Sequence, residues 1–303
     1  MNKKPEQYVD ININKIYDKN ILITGGTSGI GQEIAYSLGR LGANIYIHGR
    51  NKDRGDETVK NLTETIGTNA MFFRSDFSNL QDVYETAESI KEELNEIDIL
   101  INNVGEFVRG EKKGYNDLEY TFVTNYLSGF VFTIELIPLL LDADDPAQII
   151  FTSSSAHRHL DEVSIEEVDN SLNNWNSYAR SKLSNIMLSL SLARKFDDEK
   201  IITRTVHPGL VINSRFLRNI SGPFEEIGSI LSHIPLPGVC SKSEGAATLM
   251  NAIDIDGDGY SSVYYNQFKR ERPSRLAQDT RIQDMLWDYS VDKTNVELPD
   301  CIK

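Results

Sequence analysis

The chain has 303 residues, of which 40% are hydrophobic and 25% charged, and it carries a formal net charge of −14. That length can bury a sizeable core in one α/β domain without a partner, and the balance is ordinary for a soluble globular enzyme. The acidic charge argues against nucleic acid or an anionic membrane as partner, because a phosphate-binding surface needs the opposite sign.

Residues 1–19 are polar and rich in Asn and Lys, without an apolar run of signal-peptide length, and read as an extension packed loosely ahead of a domain over residues 20–303. Ile21-Leu22-Ile23 is a short apolar run of the kind that forms a buried parallel strand. Thr24-Gly25-Gly26-Thr27-Ser28-Gly29-Ile30-Gly31 then turns the chain, and Gln32 to Leu38 continues with helical periodicity. A turn with few side chains at a helix start lets backbone N–H groups reach a phosphate, and the helix dipole favours the negative charge. The stretch therefore reads as a dinucleotide site.

A second strand is expected over Ala43 to Ile47, ending in His48-Gly49-Arg50-Asn51-Lys52. At this edge an adenosine ribose meets the protein, where a carboxylate would bond a 2′-hydroxyl and cationic donors a 2′-phosphate. Gly49 stands at the acidic position and Arg50 follows, which points to NADP(H), with NAD(H) as the alternative cofactor. The blander reading is that Arg50, Lys52 and Arg54 solvate a helix start.

Met71 to Arg74 reads as the third strand, followed by Ser75-Asp76-Phe77-Ser78; Asp76 or Ser78 can cap the next helix. Ile97 to Ile101 is the fourth strand, ending in Asn102-Asn103-Val104-Gly105. A helix from about Asp117 to Leu141 has a wide apolar stripe that includes Asn125, which must find a partner if buried. Within it, Phe122 to Leu141 is the most apolar stretch of the chain, but Asn125, Glu135 and Pro138 interrupt it. It reads as a buried helix, and no segment reads as a membrane anchor.

The fifth strand, Gln148 to Thr152, delivers Ser153-Ser154-Ser155-Ala156-His157 to the carboxyl edge of the sheet, where open α/β folds place their chemistry. Tyr178-Ala179-Arg180-Ser181-Lys182 follows, and the spacing of Tyr178 and Lys182 puts both on one helix face. Ile201 to Val206 is the sixth strand, with His207-Pro208-Gly209-Leu210-Val211 after it.

The glycine turn, the Asn-Asn-x-Gly, the serine strand and the Tyr-x-x-x-Lys, in this order, resemble the short-chain dehydrogenase/reductase family, nearest its retinol-dehydrogenase-like branch. The resemblance spans about residues 18 to 292. It implies a single-domain Rossmann fold, a doubly wound parallel sheet of about seven strands with helices on both faces. It also implies an oxidoreductase moving hydride between a nicotinamide cofactor and a carbonyl or alcohol, on a small and often lipophilic substrate.

The site residues follow from it. Gly25, Thr27, Ser28, Gly29, Ile30 and Gly31 would hold the pyrophosphate side of the cofactor, and Asp76 would accept a bond from the adenine amino group beside Phe77. Asn102, Val104 and Gly105 would line the cofactor, with Val104 one size larger than the usual Ala, and Pro208, Gly209 and Val211 would meet the nicotinamide carboxamide. The Ser-Ser-x-A-H register makes Ser154 the catalytic serine. Tyr178 would exchange the proton, Lys182 would lower the Tyr178 pKa and bind the nicotinamide ribose, and Asn125 would hold a water linked to Lys182.

Asn213 and Ser214 stand where the family carries a Thr contact. The apolar, Gly- and Pro-containing residues 211–240 read as a substrate lid. His157, Arg158 and His159 read as exposed loop residues rather than substrate contacts, and Trp175 either walls the pocket or packs. Asp254 to Tyr260 begins like a calcium loop, but Tyr265 stands at position twelve in place of the bidentate Glu, so no metal is expected. Cys240 and Cys301 lack metal-ligand or redox spacing, which fits a reducing, cytoplasmic compartment. Analogy within the family suggests a homodimer or homotetramer. The rival readings are a catalytically silent NAD(P)-binding regulatory or scaffold protein and a sugar-nucleotide epimerase.

Overall fold

The computed structural model describes residues 3–160, 162, 174–211, 238–253 and 261–302. Its strands are β1 (Asn20–Thr24), β2 (Asn44–Gly49), β3 (Ala70–Arg74), β4 (Ile99–Asn102), β5 (Ala147–Thr152), β6 (Ile201–His207), β7 (Leu210–Val211), β8 (Val239–Cys240), β9 (Val263–Asn266) and β10 (Lys269–Glu271). One eight-stranded sheet runs β10-β9-β6-β5-β4-β1-β2-β3, and β7 pairs with β8 separately. In the large sheet every pair is parallel except β10 on β9.

The order reverses between β1 and β4, which sets a crevice beyond the carboxyl ends of those strands, where such folds bind ligands. The expected sheet of about seven strands gains an eighth, the edge strand Lys269-Arg270-Glu271. Its three charged, exposed residues offer no apolar alternation to read, and they also discourage pairing at an open edge.

Side-chain alternation along the strands builds two cores, one on each face. Leu22, Leu100 and Ile149 pack into the larger core with the Leu80–Glu93, Tyr120–Leu141 and Asn174–Lys195 helices. Ile21, Ile23, Ile99, Ile101 and Ile150 pack into the other, against the Gly29–Arg40 and Lys242–Asn251 helices. These strands are buried on both faces, which is why they read as continuous apolar runs.

The Tyr120–Leu141 helix has the length and composition of a membrane span, with mean hydropathy 1.4 over its most apolar window, yet 83% of that window is buried inside the protein. It is a core helix, as its interrupting polar residues suggested. It begins at Tyr120 rather than at Asp117, because Asn116 and Asp117 take positive φ and the Glu119 carboxylate accepts from the Thr121 and Phe122 amides at 2.9 and 2.7 Å.

The N-terminal extension is less loose than its composition suggests. Pro5 and Ile16 are buried, and Glu6 receives both Nε and Nη2 of Arg40 at 2.6 and 2.9 Å. This bidentate partner lies 34 residues away, so sequence reading had no means of finding it. The calcium-like stretch 254–260 and most of the expected lid, residues 212–237 including Asn213 and Ser214, lie outside the described residues. Of the lid segment, Leu210–Val211 and Val239–Cys240 are described, and their pairing brings its two ends together.

Candidate active site

A cleft of about 1160 Å³ opens beyond the carboxyl ends of β1, β2, β4, β5 and β6. The glycine turn forms its floor. Gly31 shows why the turn is sparing of side chains: a Cβ there would lie 2.4 Å from the Gly25 carbonyl oxygen and 2.7 Å from Asn103 Nδ2. Backbone cannot yield at that distance, so the Gly29–Arg40 helix starts directly against the turn. Ser28 caps this helix with no side-chain hydrogen bond, and Thr27, Ser28, Gly29 and Ile30 all line the cleft.

Thr24 braces the floor from behind. Its hydroxyl accepts from the Asn103 and Val104 amides at 2.9 and 3.2 Å, and Asn103 Nδ2 donates to the Thr24 carbonyl at 3.2 Å. Of the paired asparagines, Asn103 therefore faces the glycine turn. Asn102 does not line the cleft; it is 6% exposed and donates to Thr133 Oγ1 at 2.9 Å. The expectation that Asn102 contacts the cofactor is corrected by one residue, because strand alternation turns Asn102 into the helix face. Val104 and Gly105 line the cleft as expected.

At the β2 end, His48 is buried, stacks on Phe77 with ring centroids 4.2 Å apart, and bonds the Ser75 carbonyl at 3.2 Å. Burial pushes its pKa down to about 4. Arg50, Arg54, Asp76 and Phe77 line the cleft beside it. Asp76 Oδ1 accepts from the Ser78 amide at 2.9 Å, while Asn79 caps the following helix. The buried His48 Nδ1, Ser75 Oγ, Arg54 Nε and Thr124 Oγ1 have no hydrogen-bond partner among the described residues. All four belong to residues that line the cleft, and unpaired polar atoms there fit a polar nucleotide.

The serine run resolves by what each hydroxyl does. Ser153 is 2% exposed and donates to the Lys182 carbonyl at 2.7 Å, whereas half-buried Ser154 faces the cleft and hydrogen-bonds Tyr178. Tyr178 and Lys182 sit one turn apart on the Asn174–Lys195 helix and both line the cleft. Phe107 packs edge-on against the Tyr178 ring at 6.1 Å and Trp175 tilts against it at 6.0 Å. Trp175 thus walls the cleft as well as packing.

Lys182 is 2% exposed and donates to the Thr152 carbonyl at 3.1 Å. Desolvation pushes its pKa down to about 8. Burial also pushes the Tyr178 phenol up, to about 12, with the Ser154 hydrogen bond pulling the other way. The Tyr178 shift thus runs opposite to the expected lowering. The lowering is missing for a geometric reason: the Lys182 ammonium lies 5.9 Å from the phenol ring centroid and is bonded to Thr152.

Asn125 lies where the Tyr120–Leu141 helix widens at Val123–Leu127, and it is 4% exposed. Its Oδ1 accepts from the Glu106 amide at 2.9 Å, and its Nδ2 donates to the Glu106 carbonyl at 2.9 Å and Ser181 Oγ at 3.1 Å. These three bonds tie the amide to the segment after β4 and to the Asn174–Lys195 helix, and Oδ1 keeps a second lone pair.

The short chain dehydrogenase family model matches residues 19–221, the span that carries every element just described. The chain belongs to the short-chain dehydrogenase family. As such it is an oxidoreductase acting on CH–OH groups of small molecules with NAD(P) as the partner.

Among its curated relatives, retinol dehydrogenase 14 of Mus musculus is 29% identical over 91% of this chain and 85% of its own length. The WW domain-containing oxidoreductase of Gallus gallus is 31% identical over 90% of this chain and 67% of its own length. A Mycobacterium paratuberculosis crystal structure superposes with TM-score 0.72 at 21% identity, covering 94% of this chain and 96% of that one. A short chain dehydrogenase of Burkholderia cenocepacia, solved in complex with NADP, superposes with TM-score 0.67 at 22% identity, covering 84% and 97%.

The remaining expected positions of this dehydrogenase fall as follows. Pro208, Gly209 and Val211 line the cleft, and Cys240 Sγ donates to the Pro208 carbonyl at 3.1 Å. His157 overturns its reading as an exposed loop residue: it is 0% exposed. Its Nε2 accepts from the Ser274 amide at 3.2 Å, which leaves Nδ1 as the proton-bearing nitrogen that donates to the Ser154 carbonyl at 2.6 Å. Arg158 and His159 remain exposed. Sequence reading missed Glu106, Phe107 and Ser181, which belong to no family signature it used, and Ser274, which lies 117 residues from His157.

Proposed function

We propose that this dehydrogenase transfers hydride between NADP(H) and a lipophilic alcohol or its carbonyl counterpart, with Tyr178 as general acid/base. The observation that carries the reading is that Ser154, Tyr178 and Lys182 line the same cleft as the glycine turn. Thr27, Ser28, Gly29 and Ile30 would hold the pyrophosphate, and Arg50 with Arg54 the adenosine 2′-phosphate. When bound, the nicotinamide supplies or accepts the hydride.

Ser154 donates a hydrogen bond to the substrate oxygen, and the Tyr178 phenol gives it a proton during reduction or removes one during oxidation. With a resting pKa near 12, Tyr178 is a neutral donor at physiological pH, as carbonyl reduction requires. Lys182, buried and lowered to about 8, stays mostly charged at neutral pH, and its ammonium would hold the nicotinamide ribose beside its bond to the Thr152 carbonyl. Asn125, through Ser181 and the Glu106 backbone, fixes the helix faces that carry these groups. Trp175 and Leu210 add apolar lining to the cleft, with Phe107 packed edge-on against the Tyr178 ring, which favours lipophilic substrates. Two thiols, buried Cys240 and exposed Cys301, suit a reducing cytoplasmic setting, and a homodimer or homotetramer completes the reading.

Two measurements test it. NADPH oxidation over aldehydes and ketones of graded size and polarity should find turnover that rises with apolar size. Tyr178→Phe should keep NADPH affinity while turnover falls by about 10²- to 10⁴-fold. Substantial residual turnover in the variant would remove Tyr178 from the proton transfer, and binding of NADPH without turnover on any substrate would favour a silent scaffold.

A further inference from the structure

The Arg50 guanidinium has protein partners across the cleft. Its Nη2 donates to Glu106 Oε2 at 3.2 Å, and its Nη1 reaches Tyr120 Oη at 3.5 Å. Arg50 follows β2, whereas Glu106 follows Gly105 in the segment after β4, so the pair runs from one wall of the cleft to the other. The Arg50 side chain is 52% exposed and that of Glu106 21%.

The two partners differ in freedom. Asn125 holds the Glu106 backbone at both its amide and its carbonyl, each at 2.9 Å, so the carboxylate stands on a fixed base. Arg50 carries its charge at the end of a long, half-exposed stem and can move toward another anion. Glu106 Oε1 is buried with no hydrogen-bond partner among the described residues, and Asp76 adds a second negative charge facing Arg50.

A 2′-phosphate needs the same guanidinium fork that Glu106 occupies, and it meets the Glu106 charge at close range. A 2′-hydroxyl needs neither the fork nor any relief from that charge. We propose that Glu106 is a specificity-determining residue that competes with the 2′-phosphate for Arg50 and so holds down the preference of this enzyme for NADP(H) over NAD(H). The proposal rests on the reading of Arg50 as the 2′-phosphate ligand.

Equilibrium dissociation constants for NADPH and NADH, from fluorescence titration of the full chain without substrate, separate the two ideas. Glu106→Gln keeps size and hydrogen-bonding capacity while removing the charge. It should tighten NADPH by about three- to fivefold, the scale of a partly exposed ion pair, and leave NADH within about twofold. The gain should shrink as salt rises from 0.05 to 0.5 M, on the scale of about 10 Å screening at 0.1 M. Arg50→Gln should weaken NADPH by about tenfold or more and spare NADH, and adding Glu106→Gln to it should bring no gain.

If Arg50→Gln leaves NADPH binding unchanged, the reading of Arg50 falls and this proposal with it. If Arg50→Gln weakens NADPH but Glu106→Gln does not tighten it, the competition alone is refuted. Equal tightening of NADPH and NADH also refutes it, since that marks general relief of negative charge in the cleft.

Discussion

Burial of His157 against the Ser154 carbonyl makes the stability of the fold depend on pH in a calculable way. Its imidazole is neutral, with Nδ1 donating to Ser154 and Nε2 accepting from Ser274, and a second ring proton would face the Ser274 N–H. Desolvation, with the nearby Arg158 charge, lowers its pKa from 6.5 to about 4. The unfolded chain therefore takes up the proton first as pH falls. Stability from this group is complete above pH 6.5, is lost between 6.5 and 4, and changes no further below that.

At pH 5 the unfolded imidazole is almost fully protonated while the folded one stays neutral, and the integrated difference is about 2 kcal/mol, rising to about 3 kcal/mol at pH 4. The assay is urea unfolding followed by circular dichroism at pH 7.5 and 5.0, on the wild type and on His157→Gln, which keeps an acceptor for Ser274 but cannot titrate. His48, also lowered to about 4, contributes to both proteins and cancels in the comparison. His207, lowered to about 4 mainly by burial and in small part by His157, rises slightly in the variant and takes a minor share of the difference. The wild-type midpoint should fall by about 0.7 M more than that of the variant, for a denaturant slope of about 3 kcal/mol/M. Equal falls in the two proteins would mean that His157 titrates normally in the fold, and the buried tautomer would be refuted.

Two further outcomes can be checked directly. Gly105→Ala places a Cβ 2.7 Å from Lys182 Nζ, so the flexible ammonium must shift from the Thr152 carbonyl; kcat should fall by about 10- to 100-fold, as for loss of a charged hydrogen bond, with the unfolding midpoint nearly unchanged. Phe130→Ala empties a fully buried site whose ring meets Trp287 edge-on at 5.3 Å, and should destabilise the fold by about 3–5 kcal/mol in chemical denaturation while the surviving folded fraction keeps its cofactor affinity.

What could be read in advance was whatever local sequence determines. The parallel strands were legible because burial on both faces demands unbroken apolar runs, and Tyr178 with Lys182 was legible because helical spacing alone puts them on one face. The glycine turn was legible for a similar reason, since only a residue without Cβ tolerates the approach of Gly31 to Gly25. Within Ser153, Ser154 and Ser155, the fold commits the Ser153 hydroxyl to the Lys182 carbonyl, a contact that the serine run does not reveal.

Two misreadings, His157 and Tyr178, share one physical origin, since their environment is fixed by segments distant in sequence, whereas Asn102 turns on strand alternation alone. His157 looked like loop because it sits among polar residues, yet Ser274 and Tyr264 cover it from the far end of the chain. Tyr178 was expected to have a lowered pKa because a lysine four residues on can approach a phenol, but Thr152 in β5 holds that ammonium. Burial then acts on both groups in the direction that disfavours charge, raising the phenol and lowering the amine. At pH 7, values of about 12 and about 8 leave the phenol protonated and the amine mostly charged, with that cation held by the Thr152 carbonyl of β5.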